Sequence, residues 1–436
     1  MKLVGWYANT DQLYEHPETL DILAEAIGLN MVIIGGNKLS EEAQRLNPYP
    51  TNAELRGPGV TWSADDSKLL AVMREARERG LEVWTCLGSY CGQAEEFPEL
   101  GLHILDMEGQ PIDERYHTYG VSFCPNNEKV DNWFRAYYCD VAVNYDFDGF
   151  TLTHVRYSPP GNFQNLFACA CPNCQRATGE MGYDFPRMRK SVLRFLKGIR
   201  SLDTDKARRL SELNLSFFDF LTYFDHDGAL IDWFSFRAES ISNRVKGWGE
   251  AVREVAKKGF TYGTDIFAPT FAILVGHRYR KWEEGVDFIS TLLPHVEFFF
   301  TACFAEYANL LTQWAKGLTE AEALKLVYRL FNYDRFNMPL TIDYKTGRGR
   351  KGLPMLKLPF NEVPVGDMVE LEIRKSKIAQ SGRLPSYPCI SAGWDPATVG
   401  RLVRATRDVG HDGIIFQAIN IDNKPVLNAI GEAIHG

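Results

Sequence analysis

The chain has 436 residues, 45% hydrophobic and 24% charged, the balance of an ordinary globular protein that can bury a large core. With 48 basic against 56 acidic residues its formal charge is -8, which argues against a nucleic-acid partner and favours a small ligand. The start, MKLVGWYANTDQLYEHPETL, lacks the parts of a secretory signal, no apolar run is long enough to span a bilayer, and nine scattered cysteines suit a reducing compartment. A cytoplasmic protein without a membrane partner is expected, and a homo-oligomer stays open.

One pattern recurs along the chain, an amphipathic charged segment that closes on glycine and is followed by a short β-rich run. It gives AEAIGLNMVIIGG, RERGLEVWTCLG, AKKGFTYGTDIF and TRDVGHDGIIFQAI, with Gly28, Gly80, Gly259 and Gly410 as helix caps. In chain order the predicted strands are KLVGWYA, NMVIIGG, LEVWTCLG, GFTLTHV, FTYGTDIF, DFISTLLP, SYPCISA and GIIFQAI. Runs such as MVII and GIIF are apolar without alternation, as parallel strands covered by helices require. Eight such strands predict an α/β fold, a closed (β/α)8 TIM barrel in one domain over 1–436. An open doubly wound sheet is the structural alternative, but its glycine fingerprint is missing from the first strand-to-helix turn.

Two insertions interrupt the pattern. The segment from Cys91 to Pro125 after the third strand is far longer than a usual loop and is expected to shape the barrel mouth. The second, over 158–228, carries a cysteine cluster and a helical pattern and is expected on the C-terminal face of the barrel, where such enzymes keep their chemistry.

Cys169, Cys171 and Cys174 form C-x-C-x-x-C, with Pro172 and Asn173 favouring the tight turn of a metal knuckle. Three soft thiolates imply a structural zinc, and Cys124 in SFCPNN is the expected fourth ligand. Free buried thiols are the bland alternative, and Cys139 suits a helix core.

A barrel whose fourth strand runs into such cysteines resembles the family 42 β-galactosidases, in which they hold a structural zinc together with one from upstream. The wider run CPNNEKVDNWFRAYYCDVAVNYDFDGFTLTHVRYSPP resembles glycoside hydrolase-like barrel proteins, in which a helix leads into Asp-Gly, a strand and an Arg-Tyr pair, here Asp148, Gly149, Arg156 and Tyr157. WFSFRAESI, TDIFAP and VGHRYRKWEEGVDFI extend the resemblance over most of the chain. It implies cleavage of a small glycan. One departure stands out, because Thr153 occupies the strand end where those relatives place an Asp, and the glutamates expected after strands four and seven are absent.

Cleavage needs an acid and a base or nucleophile, and the groups that remain are His154, Asp265 and Asp11, each after a predicted strand. His154 acting as base with an Asp as acid implies an inverting reaction, and a His/Asp pair of this kind resembles one inverting sialidase family. The structural alternatives are a His154 that faces a helix, an Asp265 that caps a loop or pairs with a buried Arg, and an Asp11 that caps the first helix. Trp6, Tyr90, Tyr157 and Trp394 offer flat faces for sugar rings, and Asn37 and Gln417 offer hydroxyl contacts. Arg156 is a candidate clamp for an acidic sugar, or else a partner of Asp146 or Asp148, and Lys345, Arg348, Arg350 and Lys351 form a basic loop. A non-catalytic carbohydrate-binding barrel, a zinc-dependent hydrolase and a sugar lyase or isomerase are the rival functions.

Overall fold

A computed structural model describes residues 1–48, 63–90, 98–112, 123–158, 166–213, 215–224, 227–343, 355–356 and 363–436. The basic loop Lys345, Arg348, Arg350 and Lys351 lies outside the described residues.

The strands are β1 (Leu3–Tyr7), β2 (Met31–Ile33), β3 (Glu82–Gly88), β4 (Gly149–Thr153), β5 (Thr261–Phe267), β6 (Phe288–Leu292), β7 (Ile342–Asp343), β8 (Met355–Leu356), β9 (Cys389–Ser391) and β10 (Gly413–Gln417). Eight of them close into a parallel barrel in the order β1-β10-β9-β6-β5-β4-β3-β2, while β7 and β8 form a separate antiparallel pair. All eight barrel strands coincide with runs expected from the sequence. Three of the expected caps hold, since Gly28, Gly80 and Gly410 adopt positive φ at or just past their helix ends, whereas Gly259, also at positive φ, lies in a turn beyond Ala256, which closes the helix Ala229–Val255.

Alternation along each strand sorts the side chains into two cores. Leu3, Met31, Ile33, Trp84, Phe288, Leu292, Cys389 and Ile415 fill the barrel, with the rings of Trp84 and Phe288 4.8 Å apart. Gly263 makes room for that filling, because a Cβ there would stand 2.1 Å from the Phe288 ring. Their neighbours point outward, so that Phe150 meets Tyr138, Phe260 and Tyr262 in the layer between barrel and helices.

After β4 the chain runs through the helices Pro172–Glu180, Phe185–Arg200, Thr204–Glu212 and Phe217–Tyr223 before the long helix Ala229–Val255 returns it to β5. Asp184, Asp203 and Ser216 cap three of these helices, each accepting the backbone N–H three residues on. The long helix packs against Glu128–Asn144 and Phe185–Arg200 and so ties the inserted helices to the barrel wall. Among the described residues no helix is long and apolar enough to cross a membrane.

Candidate active site and cysteine knot

At the C-terminal end of β5 the carboxyl of Asp265 turns into the barrel and is 6% exposed. The hydroxyl of Tyr7, at the end of β1, donates to it at 3.1 and 3.3 Å, and Thr151 of β4 donates at 3.4 Å. Burial raises the Asp265 pKa to about 6, against the pull of the hydroxyls of Tyr7, Thr153, Ser290 and Thr151, which favour the charged form. Burial and the Asp265 charge together hold the Tyr7 phenol well above its usual range. Four strands thus supply one poised carboxyl.

Beside it the chain leaves β4 through His154, which takes a left-handed turn at φ 58°. Its imidazole is half-buried, and burial, then the charge of Arg156, holds it neutral well below its usual pKa. Arg156 is 2% exposed; its guanidinium lies 5.9 Å from the Phe267 ring and 5.6 Å from the Phe299 ring, and donates to the Tyr157 carbonyl at 3.3 Å. His277 staples this segment to β5. Its Nδ1 accepts from the Phe267 N–H at 2.9 Å, which leaves Nε2–H to donate to the Val155 carbonyl at 2.9 Å; burial lowers its pKa to about 3. His295, after β6, packs on the Phe267 ring at 5.2 Å and is likewise held neutral, by burial and then by Arg156.

The other sequence candidates are dispersed. Asp11 is 69% exposed and pairs with Lys68 at 2.6 Å, while Asn9, not Asp11, caps its helix. Trp6 and Tyr90 are buried in the helix layer, Tyr90 against Phe134 and Trp248, and a ring with no exposed face stacks no sugar. Tyr157 is buried in the wall. Asp148 pairs with Arg77 at 3.3 Å and Lys257 at 3.4 Å at the opposite end of β4, so it is not the partner of Arg156. Asn37 is buried and its amide donates to the Lys38 carbonyl at 3.4 Å. Gln417 ends β10 half-buried. Trp394 is half-buried, and its indole N–H donates to Glu297 Oε2 at 2.7 Å; Asp395 caps the helix that follows.

Cys124, Cys169, Cys171 and Cys174 converge behind the mouth, all buried, with their sulfurs within 4.8 Å of one another. The Cys124 sulfur stands 3.5 Å from that of Cys174 and 3.3 Å from that of Cys171. A tetrahedral metal with ligands at about 2.3 Å sets its sulfurs about 3.8 Å apart, so the set has the size such an ion needs. Two donors already face the sulfurs, the Leu105 N–H to Cys169 at 3.4 Å and the Asn126 amide to Cys174 at 3.3 Å. Outer contacts of this kind orient metal ligands. Leu105, in the segment after β3, thus braces the knot.

Solved structures that share this barrel fold include two that carry glycoside hydrolase names. The glycoside hydrolase domain of PgaB (BpsB) from Bordetella bronchiseptica superposes with a TM-score of 0.51 at 11% identity, over 100% of this chain and 99% of that one. A polyextremophilic β-galactosidase from the Antarctic haloarchaeon Halorubrum lacusprofundi gives 0.51 at 11% identity, over 99% of this chain and 58% of that one. The likeness is one of fold. No protein-family model matches the sequence, and no curated protein matches it.

Two residues at the mouth escaped the sequence candidates. Tyr7 is the inward neighbour of Trp6 and holds Asp265. Glu297 follows β6 in a π-helical turn, Val296–Phe300, past the strand end itself; such turns recur at functional sites.

Proposed function

We propose that the chain is a glycoside hydrolase-like enzyme that cleaves a small glycan at the C-terminal mouth of its barrel, with Asp265 as proton donor. The observation that carries this reading is the Asp265 carboxyl, buried, held by Tyr7 and raised to about 6, so that about a tenth of it keeps its proton at pH 7 against about a thousandth for an ordinary aspartate. A leaving oxygen needs such a group. His154, held neutral at the end of β4, is the proposed base toward water, and a base of this kind implies inversion. The acidic-glycan reading rests on Arg156, whose fork would meet a carboxylate between Phe267 and Phe299.

The cysteine knot is proposed to hold zinc, the ion favoured by four thiolates at tetrahedral spacing. Four cysteines fill a tetrahedron, which leaves no open position for a zinc-dependent hydrolase beside His154. A carbohydrate-binding barrel without catalysis is the second reading, favoured by Thr153 at the end of β4 where the resemblance calls for Asp. Incubation with a panel of neutral and acidic oligosaccharides separates the two: product release supports the enzyme, and binding without release supports the rival.

A further inference from the structure

Tyr157 closes the segment that opens at His154, and its hydroxyl points into the wall beside the cysteine knot. The Asn126 amide nitrogen donates to that hydroxyl at 3.2 Å and to the Cys174 sulfur at 3.3 Å. Ser240 completes the ring: its hydroxyl donates to the Asn126 side-chain oxygen at 2.6 Å and accepts from Tyr157 at 3.3 Å. Asn126, Tyr157, Ser240 and Cys174 are all buried, so water does not stand in for any of them.

The ring is anchored on both sides. Asn126 lies two residues after Cys124, inside the turn that the Asn127 N–H closes on the Cys124 carbonyl at 3.1 Å, so a knot ligand and the linking amide share one stretch of backbone. On the other side the Tyr157 N–H donates to the Val275 carbonyl at 3.0 Å, and the Arg237 guanidinium sits 4.5 Å from the Tyr157 ring. Arg156 lies between this anchor and the His277 staple on Val155, and His154 stands just before the staple.

We propose that Asn126 and Tyr157 are positioning residues that couple the metal knot to the mouth, so that a filled knot holds His154 and Arg156 in place and an emptied one releases them. The physical reason is that Asn126 bonds to a sulfur whose place is set by the bound ion. When the four sulfurs lose their common centre the amide loses a fixed acceptor, and the Tyr157 hydroxyl loses the donor that holds it. Coupling of this kind is reciprocal, so what orders the mouth also retains the metal. The inference takes from the proposed function only the role given to His154 and Arg156.

Hydrogen–deuterium exchange tests it without a substrate. Three samples are compared: the protein with its metal, the same protein stripped by a chelator, and metal-loaded Tyr157→Phe, which keeps the ring against Arg237 and removes only the hydroxyl. Exchange across 153–158 should quicken by about tenfold or more on stripping and in Tyr157→Phe, while the variant keeps about one equivalent of metal and Gly413–Gln417 of β10 exchanges as before. Slow exchange at 153–158 in the stripped protein overturns the proposal. Should stripping unfold the whole chain, the variant decides alone, and unchanged exchange there overturns it equally. A protein inert on every glycan that still shows metal-dependent protection of 153–158 removes the glycosidase reading and leaves the coupling standing.

Discussion

At the cysteine knot three of the four sulfurs come from one short turn, Cys169 to Cys174, whereas at the mouth the Tyr7 phenol and the Asp265 carboxyl meet across 258 positions of sequence. The knot is a local device, closed by soft ligands that a thiophilic ion of the right size would draw together. The mouth exists only because the barrel closes and brings the ends of β1, β4 and β5 to one place. The two regions should therefore fail differently. Damage to the knot removes stability, and damage to the mouth removes chemistry while the fold survives.

The largest effect is expected at the knot. Cys171→Ser should cost about 4 kcal/mol or more and lower the metal content from about one equivalent toward none, because binding energy there is folding energy. Metal analysis and thermal unfolding check it together. Freshly purified, reduced protein that carries no metal would remove zinc from the account.

At the mouth, Asp265→Asn and His154→Ala should each lower turnover by about a hundredfold or more. The stability change of Asp265→Asn has a sign that can be worked out. The folded carboxyl holds its proton up to about 6 and the unfolded one only to about 4, so native stability falls as pH rises through that window and stays reduced above it. Asn carries no such penalty, so the variant should melt higher than wild type at pH 8, with the gain gone near pH 4. His277 works in the opposite sense: its folded pKa of about 3 means stability is lost as pH falls below about 6.5, in wild type and variant alike. The difference between the two melting curves thus isolates Asp265. An equal loss of melting temperature at both pH values would contradict the buried, raised carboxyl.

How much of this was legible in the sequence follows the same division. The eight barrel strands could be read because each is a short apolar run, four of them set off by a glycine that closes the segment before, and the knot because its spacing is local. Even Cys124 could be found, since it stands just before the helix leading into β4. The mouth was harder. Asp265 was placed at its strand end, but Trp6 and Tyr7 are adjacent in sequence, and only the register and tilt of a closed barrel decide that Tyr7 faces inward and Trp6 outward. Asp11 follows β1 in the chain, yet its helix turns it to solvent and Lys68. Glu297 left no signal in the sequence, because what marks it is the Trp394 indole arriving from another strand end.

Two smaller effects sharpen the comparison. Tyr7→Phe removes a hydrogen bond to the charged form of Asp265, worth about 1 kcal/mol, and should raise the apparent pKa of that group by about 0.7 unit, visible as a shift of the pH–rate profile to higher pH. A shift to lower pH would mean that Tyr7 stabilises the protonated form. Arg156→Lys should weaken an acidic oligosaccharide several-fold and leave a neutral one nearly unchanged, because charge is kept and the fork is lost. Equal losses for both would make Arg156 a packing residue of Phe267 and Phe299.

The most direct test of the central claim is glycan turnover in oxygen-18 water by wild type and Asp265→Asn side by side. Wild type is expected to release a reducing sugar with the heavy oxygen at its anomeric carbon, and the variant to release it slower by about a hundredfold or more. Product without solvent oxygen, or equal release by both proteins, would contradict it.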